Sequence, residues 1–413
     1  MKAKLWIALI ALLQECAAHA AAPPSIAIPV FVSDLSASRV EVTVGVRNQQ
    51  DDDINCTWEL RGRSVDRAKL LPEIQESPAP WGRLIRATFP LDETQGSLAS
   101  HALVRTCQGR VTEAKRSKTL HPIPADPKAT LKFSVIADSQ GEAAEARWIV
   151  SAIEKAQSDF VIHAGDVVDH GEKLEEWRAW FDELNELTSV RLVATALGNH
   201  DYDQYSENPP DGWRTRPTAG IWDALSQGRR WRVLEFPQAR IFLLDSNLHS
   251  MSRSQWQAQL DWLKEELVRP DPTNRIRIAV FHHPPFANSV HNWDQLRDTP
   301  SQPHEYIRIR SELVPLLESG GVKLVLNGHA HHYERSFKNA ITYVTAGAIN
   351  TWRMVPSPPA WFDINPYSQK LLTLKWTITH CTLIPTNTTL ACTTQNRAGE
   401  VVDEFEIRWS NNP

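Results

Sequence analysis

From Leu131 onward the chain repeats one pattern: an apolar run of strand length stops at a residue able to bind a metal or carry a proton. "LKFSVIAD" ends at Asp138, with Gln140 just beyond. "DFVIHAGDVVD" carries Asp166 and Asp169, and "VRLVATALGNHD" ends in Asn199, His200 and Asp201. "IRIAVFHHPP" presents His282 and His283, and "VKLVLNGHAHHYE" presents His329, His331 and His332. Segments with helical spacing lie between these runs, among them "EAAEARWIVSAIEKA", "LEEWRAWFDELNEL", "SQWQAQLDWLKEEL" and "SELVPLLES". Strands alternating with helices predict a sheet with helices packed on it, and such sheets place ligands beyond the carboxyl ends of their strands. "WRVLEF" and "ARIFLLDSN" predict a hairpin in the same region.

The residue types point to a chemistry. Carboxylate oxygens mixed with imidazole nitrogens suit Zn, Mn or Fe better than Ca or Mg. Two cations about 3.5–4 Å apart need a shared anionic bridge, and Asp166 is the natural candidate. Glycines precede three of the candidates, in "AGD", "LGN" and "NGH", and predict tight turns that aim the following side chain into a cleft. His163, inside its apolar run, reads as a core histidine. Arg335 is expected to brace the "HHYE" turn through a carboxylate.

The flanks are different. Residues 23–125 alternate apolar and polar positions in "IAIPVFVSD", "RVEVTVGVRN", "INCTWELRG", "RLIRATFPL" and "HALVRTC", which predicts an all-β sandwich of fibronectin or immunoglobulin type. The Pro-rich "HPIPADPKA" reads as a linker, and 126–413 as a second domain that includes the C-terminal β-patterned segments. Residues 1–22 read as a signal peptide, with a basic "MKAK", an apolar "LWIALIALL" and cleavage after about Ala20. The expected destination is the periplasm or the medium. Cys56, Cys107, Cys381 and Cys392 remain in the processed chain, an even number that suits disulfides. Three pairings are possible, and proximity along the chain favours Cys56–Cys107 and Cys381–Cys392. The net charge of -5 and the lack of a long basic run argue against a nucleic-acid polymer as partner. No segment after the leader is long and apolar enough to cross a bilayer.

The five strand-end motifs, Asp138-x-Gln140, Gly165-Asp166-x-x-Asp169, Gly198-Asn199-His200-Asp201, His282 and Gly328-His329-x-His331, resemble those of the calcineurin-like metallophosphoesterases. The resemblance covers about 128–350. "GHAHHYERS" and "HHPPFANS" are similar to the corresponding stretches of the purple acid phosphatases, which also carry an N-terminal β-sandwich. The resemblance implies a four-layer α-β-β-α fold after the sandwich, and two divalent cations (Mn, Zn or Fe). One cation would be held by Asp138, Asp166, His331 and Gln140. The other would be held by Asp166, Asn199, His282 and His329. Gln140 departs from the pattern, where His or Gly is usual. Asp169 stands where purple acid phosphatases have a metal-binding tyrosine, so a colourless enzyme is expected.

On this resemblance the implied activity is hydrolysis of phosphate monoesters through metal-activated hydroxide. His200 would donate a proton to the leaving group, and Asp169 would orient His200. The substrate would be a small-molecule phosphoester. A phosphodiesterase acting on nucleotides or phospholipid headgroups is the alternative. His329 and His331 are expected to point the same way from an extended strand end, with His332 behind them. His283 and His291 are candidate substrate contacts, together with Trp293, Arg214 and Arg216 in the long segments 286–304 and 202–220.

Overall fold

The computed structural model of the chain describes residues 26–36, 38–47, 56–64, 69–70, 72–90, 98–107, 110–114, 118–140, 143–202, 219–271, 273–288, 305–347, 365–373 and 375–409. Residues 1–22, expected to form a signal peptide, and His291, Trp293, Arg214 and Arg216 lie outside these residues.

The first unit is built from strands alone. They are β1 (Ile26–Leu35), β2 (Arg39–Arg47), β3 (Cys56–Ser64), β4 (Lys69–Leu70), β5 (Glu73–Ala79), β6 (Gly82–Pro90), β7 (Leu98–Cys107), β8 (Arg110–Ala114) and β9 (Lys118–Thr119). One sheet has the order β1-β2-β6-β5 and the other β4-β3-β7-β8, with β9 on β7. Every pairing is antiparallel. The period-two patterning supplies the core: Val40, Val42, Val44 and Val46 of β2 all point inward. The register sets Cys56 opposite Cys107, whose side chains lie outside the described set.

The second unit contains two sheets. The first six elements after β9 are β10 (Leu131–Ile136), helix α1 (Ala143–Ala156), β11 (Phe160–His163), helices α2 (Leu174–Glu183) and α3 (Asn185–Thr188), and β12 (Val193–Thr195). Helix α4 (Gly220–Ser226), β13 (Arg232–Glu235), β14 (Ala239–Leu243), α5 (Arg253–Val268) and β15 (Ile276–Val280) follow. A helix starts at Glu305–Arg308 (α6), passes through a π turn at Ile309–Leu313, and continues as Val314–Ser319 (α7). The remaining strands are β16 (Leu324–Asn327), β17 (Tyr333–Lys338), β18 (Ile341–Ala346), β19 (Ser368–Leu372), β20 (Thr377–Ile384), β21 (Thr389–Asn396) and β22 (Val401–Arg408).

The six-stranded sheet has the order β12-β11-β10-β20-β21-β22, and the seven-stranded sheet β13-β14-β15-β16-β18-β17-β19. Their inner faces meet in a core that includes Phe133, Ile162, Ile278, Leu326 and Leu390. Phe160 stacks on Phe133 and meets Phe236 of the opposite layer edge-on, with ring centres 5.4 and 5.0 Å apart. Helices α1, α2 and α4 cover the outer face of one sheet, and α5 with the π-containing helix covers the other. The layers are α-β-β-α, preceded by the sandwich, as the sequence led us to expect. The hairpin expected at β13–β14 is present.

The C-terminal strands are integral to this unit, because β20 pairs antiparallel with the central strand β10. Cys381 and Cys392 face one another across β20–β21 and form a disulfide. Arg335 of β17 donates to Asp403 of β22 at 2.7 Å, and the Tyr333 hydroxyl donates to the same carboxylate at 2.7 Å. That pair ties the two sheets together, which is the carboxylate role expected for Arg335. The Pro-rich linker is pinned rather than loose: Gln238 donates to the carbonyls of Pro124 and Asp126 at 2.8 and 2.7 Å. Among the described residues no helix is long and apolar enough to cross a membrane.

His380 on β20 lies 2.8 Å from the Ser134 hydroxyl, and burial pushes its imidazole down to about 4. An unfolded histidine titrates near 6.5, so between these values the unfolded chain takes the proton first. Stability then falls as pH drops from about 6.5 to 4, with a slope of at most about 1.4 kcal/mol per pH unit from this group. His380→Asn should flatten that part of the profile, measured by denaturant unfolding at several pH values. An unchanged slope would remove His380 from the acid sensitivity.

Candidate metal centre

Each expected ligand lies where a strand of one sheet ends opposite a strand of the other. Asp138 follows β10, Asp166 follows β11, Asn199 and His200 follow β12, His282 follows β15, and His329 and His331 follow β16. The chain turns abruptly at these ends. Asp138, Gln140, Asp166 and His329 all have positive φ, at 56°, 36°, 57° and 67°. Left-handed backbone is costly for side chains other than Gly, and its clustering at one place marks a functional constraint.

Gly165 does turn through positive φ (95°), but Gly198 and Gly328 do not. Their constraint is close approach: a Cβ on Gly198 would collide with the Asp166 backbone N and Oδ1, and one on Gly328 would sit 2.6 Å from Asp138 Oδ2.

Asp138, Asp166 and His282 are buried and present ligand atoms all within 4.8 Å of one another. His331 Nε2 lies 3.6 Å from Asp138 Oδ1. His282 Nε2 lies 3.3 Å from Asp166 Oδ2 and 3.1 Å from Asn199 Oδ1, and His329 Nδ1 lies 2.9 Å from the same amide oxygen. Two groups of donors emerge, one around Asp138 and one around Asn199, with Asp166 reaching toward both. Gln140 turns its amide nitrogen to Asp166 Oδ2 at 3.2 Å, the hydrogen-bonding arrangement, and a half-turn of the amide would present its oxygen instead.

The charges show what this arrangement requires. Burial and the charge of Asp166 drive the Asp138 carboxyl well above its ordinary value, although His282 opposes them. Burial would also raise Asp166, but His282 and His200 hold it well below the usual carboxylate range. Burial would lower His282, but Asp166 and Asp138 push it up to about 10. Two carboxylates buried this closely demand positive charge between them, and in the protein alone a proton on His282 supplies it. Oxygen and nitrogen donors gathered around such a spot fit one or two divalent cations of the Zn, Mn or Fe type.

The route of the chain through His329 and His331 differs from expectation. β16 stops at Asn327, and two successive tight turns follow, with Ala330 N donating to Gly328 O at 2.8 Å and His332 N to Ala330 O at 2.7 Å. Both imidazoles reach the centre, but a folded turn places them there rather than an extended strand. His332 does lie behind them, buried, 3.2 Å from Glu334 Oε2.

His200 sits at the edge of the centre. Its backbone N–H donates to Asp166 Oδ1 at 2.9 Å. Its Nδ1 lies 2.8 Å from the Asp169 backbone carbonyl and 3.3 Å from that residue's carboxylate. Asp169 thus orients His200 mainly through its main chain. His283 is buried, 2.9 Å from the Ser246 hydroxyl, and its ring centre lies 4.4 Å from that of His329. That position sets it against the His329 ring. His163 is a core residue, 2.8 Å from the Ser139 hydroxyl, and burial pushes it down to about 3.

Sequence reasoning gave no definite role to Asp201. Its buried carboxylate accepts the N–H groups of Asp166, Val167, Val168 and Gly198 at 3.1, 2.9, 3.3 and 2.8 Å. Burial and the nearby Asp166 charge push it up to about 7, against these four bonds. Replacing Asp201 by Asn would turn a donor toward donors. We expect a loss of about 3 kcal/mol or more in stability and a lower metal content after dialysis. Unfolding curves and elemental analysis check both, and a wild-type result would strip Asp201 of its organising role.

Residues 131–333 match the family model of the calcineurin-like phosphoesterases. An uncharacterized protein of Mycobacterium tuberculosis is 26% identical over 224 residues, spanning 51% of this chain and 40% of that protein. Purple acid phosphatase 18 of Arabidopsis thaliana is 22% identical over 210 residues, 50% of this chain and 45% of that one. The chain thus spans less than half the length of these curated relatives. The purple acid phosphatase PPD1 from yellow lupin (Lupinus luteus) seeds superposes with a TM-score of 0.68 at 13% identity, covering 92% of this chain and 74% of that one. That likeness concerns the fold, including the leading sandwich. The matched segment, with its buried Asp and His cluster, is a calcineurin-like phosphoesterase domain with a candidate metal site.

Proposed function

We propose that the chain is an exported phosphatase that hydrolyses small-molecule phosphate monoesters with two divalent cations. The convergence of Asp138, Asp166 and His282 within 4.8 Å, flanked by Asn199, His329 and His331, carries this reading. Asp138, His331 and Gln140 would hold one cation, Asn199, His282 and His329 the other, and Asp166 both. Bound there, the cations would supply Lewis-acid charge for the phosphoryl oxygens and lower the pKa of a coordinated water.

The chain's own residues do the rest. His200 has its Nδ1 committed to Asp169, so Nε2 is the nitrogen that delivers a proton to the departing oxygen. Its backbone N–H steadies Asp166, so proton donor and cation bridge keep a fixed spacing. His283 and Ser246 hold the His329 ring in place from behind. The preference for monoesters is supported by the phosphatase names of the lupin structure and the Arabidopsis relative. Export is supported by the leader-like residues 1–22 and the disulfide between Cys381 and Cys392.

The test is hydrolysis of an aryl phosphate monoester beside the matching diester, with Mn, Zn or Fe added. The expected outcome is metal-dependent turnover favouring the monoester. A diester preference would move the function to phosphodiesterase, and inactivity on both with metal bound would refute the proposal. His200→Ala should lower kcat by roughly 10²–10⁴-fold at unchanged metal content. Asp166→Asn should lower metal content itself. N-terminal sequencing of the protein recovered from outside the cytoplasm should begin near Ala21, and an intact Met1 there would sink the export claim.

A further inference from the structure

One strand end of the seven-stranded sheet carries an acid that belongs to neither group of donors. β14 runs out into Asp245, Ser246 and Asn247, all buried, beside β15, the strand that leads to His282. Gln259 of α5 anchors Asp245 through the main chain. Its side-chain amide accepts from the Asp245 N–H and donates to the Asp245 carbonyl, both at 2.8 Å. That reciprocal pair fixes the backbone, so the carboxylate has a set direction.

The carboxylate reaches toward the other sheet. Tyr202, itself buried, donates its hydroxyl to Asp245 Oδ2. Asn247 donates its backbone N–H and its Nδ2 to Asp245 Oδ1, at 2.9 and 2.8 Å. The same Nδ2 donates to the Leu197 carbonyl at 3.0 Å. Leu197 and Tyr202 flank a single turn, Gly198-Asn199-His200-Asp201, which follows β12 of the six-stranded sheet. Arg230, paired with Asp223 at 2.7 Å, lies 5.3 Å from the centre of the Tyr202 ring. The tyrosine is thus held by its face as well as by its hydroxyl.

That turn needs such a tie. Asn199 comes from the six-stranded sheet, but its amide oxygen meets His282 and His329, which come from the seven-stranded one. Donors drawn from two sheets keep their spacing only if the turn between them is fixed. Asp201 secures the turn to its own sheet, through Gly198 and the residues after β11. Asp245 and Asn247 secure it to the opposite one. A buried carboxylate that accepts from three donors is a firm anchor, because any donor that let go would be left unpaired away from water.

We propose that Asp245 is a positioning residue of the candidate metal centre. By holding both ends of the 198–201 turn, it keeps Asn199 on the cation shared with His282 and His329, and keeps His200 within reach of the departing oxygen. The inference rests on the two-cation phosphatase reading above.

The test uses the full chain, stripped of metal and titrated with Mn in a calorimeter. Asp245→Ala would strand three buried donors and risks unfolding, so the tie is cut at each end instead, with Tyr202→Phe and Asn247→Ala. In each variant one of the two Mn affinities should weaken by about 10–100-fold, the usual effect of losing a residue that orients a ligand. It should be the affinity that Asn199→Ala removes, with the other unchanged. At saturating Mn, phenyl phosphate should slow more than nitrophenyl phosphate, by about tenfold or more in the ratio, because the poorer leaving group depends on the proton from His200. Wild-type affinities for both cations in both variants would overturn the proposal, as would a wild-type chain that takes up a single Mn. A loss shared equally by the two cations, or equal slowing of the two substrates, is what a weakened fold alone gives, and either would overturn it too. Two cations without turnover in the wild-type chain would refute the phosphatase reading alone, and the Mn affinities would still decide the role of Asp245.

Discussion

Two carboxylates, Asp166 and Asp201, are buried beside one another, and the local architecture answers their mutual repulsion. Asp201 takes four backbone N–H groups drawn from two strand ends, the turn after β11 and the turn after β12. Asp166 is held from the other side by the His200 N–H and by His282. The two loops thus share one set of charges, and neither can move without breaking bonds to the other. Asp201 needs no contact with substrate to matter. It fixes the direction in which Asp166 points, and Asp166 is the residue on which both groups of donors converge.

Close packing enforces the same geometry. The strand ends meet so tightly that Gly198 and Gly328 leave no room for a Cβ, and four side-chain-bearing residues accept left-handed backbone. Such conformations survive only where the surroundings over-determine them. Here the surroundings are two sheets packed face to face and stitched by Tyr333, Arg335 and Asp403. The rigid layers absorb the strain, and the loops are left to present donors.

Much of this was legible in the sequence, because the signals are local. Period-two patterning exposed the sandwich strands. The alternation of apolar runs with helical segments exposed the layered domain, and polar residues at the run ends exposed Asp138, Asp166, Asn199, His282 and His329. What stayed hidden depends on contacts between distant segments. Asp201 stands in plain view after His200, but three of its four donors come from a loop more than 30 residues earlier. The turns that carry His329 and His331 inward follow no periodic pattern, so an extended reading was natural and incorrect. The π turn at Ile309–Leu313 likewise arises from tertiary packing.

The pairing of β20 with β10 has a consequence for how the molecule comes into being. Asp138 extends from β10, yet one whole edge of β10 is covered by a strand that begins at Thr377. Every side chain of the candidate metal centre precedes in the chain the strand that closes that edge. Loop closure over such a span is slow relative to local pairing. The nascent domain therefore carries an unpaired edge of β10 until the β20–β21 hairpin, locked by Cys381 and Cys392, is in place to cover it.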